Sequence, residues 1–155
     1  MSKFLQVPSD EPIRTVINAA FDTDLPLKGG WGYSEELATV IMSNPDNTPL
    51  SQLQHMIASM RAYLEMNITL EKEDRYGSIN LNEKSRETVK KGDHIFHKVL
   101  YEISAMKENS YEMFINEYKE GYGKAEFDME DHFKRRKEAT LIREEPYWFE
   151  VSQVV

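Results

Sequence analysis

The segment Arg86–Glu120, RETVKKGDHIFHKVLYEISAMKENSYEMFINEYKE, decides the fold. Two readings compete. As one helix, Val89, Gly92, Phe96, Val99, Ile103 and Met106 make a heptad-like stripe, and the chain becomes an all-α bundle. As strands, Lys91-Gly92-Asp93 is a turn, and Ile95, His97, Val99, Tyr101, Ile103 and Ala105 share one face by strict alternation. Lys107-Glu108-Asn109-Ser110 is then a second turn, leading to a further strand over Tyr111–Ile115. Gly92 inside a helix costs about 1 kcal/mol relative to Ala. At a turn its conformational freedom is useful. The strand reading is therefore the expectation.

Helical spacing is clearer on either side. Upstream, Ile13, Val16, Ile17, Ala20 and Phe21 fall on one face, with Ser9 or Asp10 as a cap and Pro12 tolerated in the first turn. Asp22 to Asp24 and Leu25-Pro26 stop that helix. Leu50, Leu53, Ile57, Met60, Leu64 and Ile68 carry a second apolar seam. It fades through Glu71–Arg75 and ends at Tyr76-Gly77-Ser78. Downstream of Gly121-Tyr122-Gly123, acids precede bases from Glu126 to Lys137, which complements a helix dipole. Ala38–Ser43 is β-branched and reads as a short strand. Tyr147-Trp148-Phe149 reads as a closing strand or a segment docked on the core. The expected fold is an α+β single domain over residues 1–155. It has about three helices (roughly 10–21, 50–73 and 125–141) and a small antiparallel sheet, with the all-α bundle as the alternative.

The bulk numbers fit one globular unit. The chain has 155 residues, of which 40 % are hydrophobic and 30 % charged. Its 19 Lys and Arg stand against 27 Asp and Glu, a net charge of −8. That acidity argues against nucleic acid and against anionic membrane surfaces, both of which rely on basic residues. The chain has no cysteine, which removes disulfides, thiolate metal sites and cysteine nucleophiles. No apolar run resembles a signal peptide or a membrane span, so the expected location is cytoplasmic.

Motifs that carry chemistry are incomplete. Gly29, Gly30 and Gly32 flank Trp31 and precede Tyr33, the most distinctive local feature. The spacing matches neither a P-loop nor a dinucleotide loop, and Glu35 and Glu36 would repel a phosphate. The milder expectation is an aromatic contact through Trp31 and Tyr33, against the plainer account of a turn that packs them inward. Asp22-Thr23-Asp24 could hold a cation, and His94-x-x-His97 could ligate a metal, though on a strand the two point to opposite faces. His55 and His132 add no repeated ligand spacing. Lys134–Lys137 is the only basic run, and its four residues point all round a helix.

No cofactor and no resident metal are expected. The expected function is a non-catalytic interaction or regulatory domain that binds a protein partner or a second copy of itself through the Leu50–Ile68 seam or the aromatic segments. The alternative is a small metal- or ligand-dependent enzyme built on Asp22, Asp24 and the histidines.

Overall fold

The computed structural model describes residues 4–8, 10–68 and 70–155. Among them the chain orders as α1 (Ile13–Phe21), β1 (Leu27–Gly29), β2 (Thr39–Ile41), α2 (Leu50–Tyr63), β3 (Tyr76–Lys91), β4 (His94–Lys107), α3 (Glu108–Gly121), α4 (Met129–Ala139) and β5 (Leu141–Glu150). The five strands form one sheet in the order β1-β2-β5-β4-β3. The fold is α+β, and the all-α alternative falls.

The disputed segment divides. Gly92 is the hairpin turn between β3 and β4, with φ +58° and open space around it. Lys91 and His94, paired across this turn, close the ladder. Along β4, Val99, Tyr101, Ile103 and Ala105 are buried in alternation, as the period-2 pattern requires. Ile95 and His97, on the same face, are half-buried.

Several expectations need correction. Lys107–Ser110 is not a turn into another strand: α3 begins at Glu108. Ser, Asn and acidic residues suit a helix's first turn as well as a loop. The second helix stops well short of residue 73. It passes at Leu64–Ile68 into a π-helical turn, and β3 starts at Tyr76. The last helix covers Met129–Ala139 rather than 125–141, because Asp128 caps it by accepting from the Asp131 N–H. The first helix begins after Pro12 rather than at Asp10, and Ser9 lies outside the described residues. Among the described residues four α-helices replace the expected three. The sheet is also larger than expected and mixed, since β2 runs parallel to β5.

The core lies between α1 and α2 on one side and the inner sheet face on the other. Ile13 and Ile17 of α1, Leu53 and Ile57 of α2, and Val99, Ile103, Tyr147 and Phe149 of the sheet meet there. Tyr147 and Phe149 stack at 4.3 Å. Phe96 and Trp148 meet edge-to-face at 6.2 Å on the opposite face. Leu53, Ile57, Met60 and Leu64 of the expected seam are thus buried within the chain. β3 is a long, mostly exposed edge strand that carries six charged residues among its 16. Among the described residues no helix is long and apolar enough to cross a membrane.

Candidate interaction surface

Three places concentrate polar or aromatic side chains, and they differ in what they leave free.

The first is the Gly-rich loop, which is turned inward. Gly29 and Gly32 adopt φ +85° and +79°, a region open mainly to glycine. The Gly30 and Gly32 N–H groups donate to Ala38 and Leu37 carbonyls. The Thr39 hydroxyl donates to the Gly30 carbonyl, and the Trp148 N–H to that of Gly32. Those amides are therefore committed within the chain and form no anion cradle. Trp31 has no exposed surface, so it belongs to the core and not to a contact patch. Tyr33 is half-buried; its hydroxyl accepts from the Val7 N–H at 2.9 Å and donates to Glu65 at 2.6 Å. Burial raises its phenol pKa, and the Glu65 charge adds to the effect.

Beneath this loop lies an ionic cluster that no sequence motif marks. Arg61 is buried between the rings of Tyr33 and Tyr147, at 4.3 and 4.4 Å. It donates to the carbonyls of Trp31 at 3.1 Å and Pro146 at 3.0 Å. Glu65, in the π-helical turn, lies 3.8 Å from Arg61 and accepts from Arg143 at 2.6 Å. The signal was present on α2: Gln54, Ala58, Arg61 and Glu65 follow helical spacing and are all buried. Each charge has an opposite neighbour, as buried ions require. The cluster fastens the loop, the helix and β5 together.

The proposed ligating residues are dispersed. Asp22 is the left-handed C-cap of α1. Asp24 takes a two-pronged bond from Arg14 at 2.6 and 2.8 Å. His94 is mostly exposed and pairs with Glu150 at 3.3 Å. His97 meets Gln54 at 3.0 Å and Arg86 at 3.2 Å on the inner face. Burial first, and Arg86 next, lower its pKa. His55 meets the Leu81 carbonyl at 3.0 Å. The structure does not bring Asp22, Asp24, His94 and His97 to one point. Among the described residues no three His, Asp or Glu side chains gather as a metal would need.

The third place is the hairpin of α3 and α4. The two helices meet through Phe114 and His132, both buried. Glu117 joins them: it accepts from Arg135 and lies 3.1 Å from His132 Nδ1. Arg135, then His132, hold its carboxyl well below the usual range, at about 2. On this flank Met113, Glu117, Glu120, Lys124, Glu126 and Phe127 border a cleft of about 610 Å³.

The other flank is aromatic. Tyr111, Ile115, Tyr118 and Tyr122 fall at i, i+4, i+7 and i+11, the spacing of one helix face. Met129 and Phe133 continue the face on α4, and the Tyr118 ring touches Tyr122 at 5.4 Å and Phe133 at 6.1 Å. Tyr122 is 66 % exposed and Phe133 46 %; Tyr111 and Met129 are also exposed. The Arg136 guanidinium lies over the Phe133 ring at 5.4 Å. Reading Tyr111–Ile115 as a strand hid this face, because strand alternation separates residues that a helix aligns.

No protein-family model matches the sequence, and comparison with curated proteins and with solved structures finds no similar protein.

Proposed function

We propose that the protein is a non-catalytic interaction module whose contact surface is the aromatic flank of the α3–α4 hairpin. One observation carries this reading. Tyr111, Tyr122, Met129 and Phe133 lie exposed on one face shared by two helices, while Trp31 and the seam residues Leu53, Ile57, Met60 and Leu64 are buried. Isolated exposed apolar side chains are ordinary, whereas a contiguous patch marks an interaction site. Tyrosine and methionine suit such a role: one is a rigid amphipathic anchor, the other an adaptable apolar filler. The enzyme alternative draws no support from side chains that already answer to Arg14, Gln54, Arg86 and Glu150.

The test is photo-crosslinking in the cells that make the protein. A photoreactive phenylalanine analogue is placed at position 122, with a control at position 87 on the β3 edge. Discrete adducts from 122, absent from 87 and lost in a folded Met129→Glu variant, are the expected result. Equal labelling from both positions, or none from 122, overturns the reading.

A further inference from the structure

We infer that the aromatic flank of the hairpin takes a second copy of this chain, forming a two-fold four-helix bundle in which α3 of one protomer lies against α4 of its partner. The inference rests on the interaction reading above and names its partner. The argument is charge complementarity along the rim of the face. Glu112 and Lys119 border it on α3, and Glu130 and Lys137 border it on α4. All four are exposed. Among the described residues none of them has an ion-pair partner within its own chain.

Their order along the hairpin is opposite on the two helices. The contacts of Glu117 with His132 and Arg135, and of Arg135 with the Phe114 ring, set the two helices level. Glu112 then lies beside the 137–138 step and Lys119 beside the 130–131 step. From the sheet end to the tip, α3 carries acid then base, and α4 carries base then acid. A two-fold axis along the hairpin places α3 over the partner's α4 at the same height. Glu112 then faces Lys137 across the interface, Lys119 faces Glu130, and both pairs occur twice. Every neighbouring helix pair is antiparallel, the arrangement of an up-down bundle. The exposed tyrosines, Met129 and Phe133, with the Arg136 guanidinium over the Phe133 ring, fill the centre that the charges frame.

The test is sedimentation velocity on the purified full chain and three variants: Glu112→Lys, Lys137→Glu and the two combined. The wild type is expected to dimerise. Each single variant turns two attractive contacts into repulsive ones and should weaken dimerisation roughly tenfold. The double variant restores the pair with its signs exchanged, and its affinity should return to within about threefold of wild type. A wild type that stays monomeric at about 0.5 mM, which places Kd above the millimolar range, overturns the inference. So does a dimer that ignores the single variants, or a double variant as weak as either parent. Crosslinks from position 122 to a different protein, with a monomeric chain, would leave the interaction reading standing and sink the self-association. Absence of any adduct would sink both.

Discussion

The Tyr33 hydroxyl lies 2.6 Å from a carboxylate oxygen of Glu65, so the glycine-rich loop is hydrogen-bonded to the π-helical turn that ends α2. That carboxylate also accepts from Arg143 and neighbours Arg61. Tyr33→Phe removes one bond to a charged acceptor and leaves the Val7 N–H without its partner. It should cost about 1–3 kcal/mol. Glu65→Ala strips the buried Arg61 guanidinium of its counter-charge, leaves Arg143 only Glu145 at 3.4 Å, and should cost about 3–5 kcal/mol. Denaturant unfolding of both variants measures the difference. A Glu65→Ala variant no weaker than Tyr33→Phe would show that the cluster does not hold the loop.

Trp31 offers the sharpest test of where the loop faces. Truncating a fully buried Trp to Ala costs about 3–5 kcal/mol. A melting temperature close to wild type for Trp31→Ala would mean that the ring is exposed after all.

Two glycines with positive φ should respond unequally to alanine. At Gly32 an added Cβ would meet the Tyr147 ring at 2.1 Å, whereas at Gly92 nothing lies within 4 Å. Gly92→Ala therefore meets only the backbone penalty, about 1 kcal/mol. Gly32→Ala adds overpacking of about 1–3 kcal/mol against a buried ring. Thermal melts of the two variants should separate clearly, with Gly32→Ala the lower.

Acid should loosen the hairpin. The Glu117 carboxyl is held at about 2, chiefly by Arg135 and then by His132, below the ordinary Glu value of about 4.3. A depressed carboxyl stabilises the fold fully above its unfolded pKa, and that contribution fades as pH falls from about 4.3 towards 2. Side-chain NMR signals of Phe114 and Tyr118 should broaden or shift over that window in the wild type. In Glu117→Gln the change over the same window should be smaller. An unchanged acid response would assign it to other carboxylates.

The inner face of β4, the turn at Gly92 and the stop at Asp22 were all legible, because each rests on local chemistry: alternation, glycine freedom and a left-handed cap. The α+β class followed from them. The π-helical turn at Leu64–Ile68 was not legible, since nothing in LEMNI breaks helical spacing. The parallel pairing of β2 with β5 joins residues 39–40 to 149–150, and no local pattern encodes so distant a partner. The inward packing of Trp31 was not legible for a related reason. Trp31 and Tyr33 stood out by residue type, but type does not say which way a ring faces. The face on α3 needed the correct period before its tyrosines could align.

The edge strand β3 has one further consequence. If two copies met edge to edge with their inner faces on the same side, registers centred between Ser85 and Thr88 would set Glu83 against Glu87, Arg86 against Arg86, Glu87 against Glu87, or Arg86 against Lys90. Like charges directly opposed disfavour each of these pairings. Parallel in-register stacking, the geometry of an amyloid fibril, would repeat every one of those charges along the stack. The β3 edge thus carries its own protection against fibrillar growth.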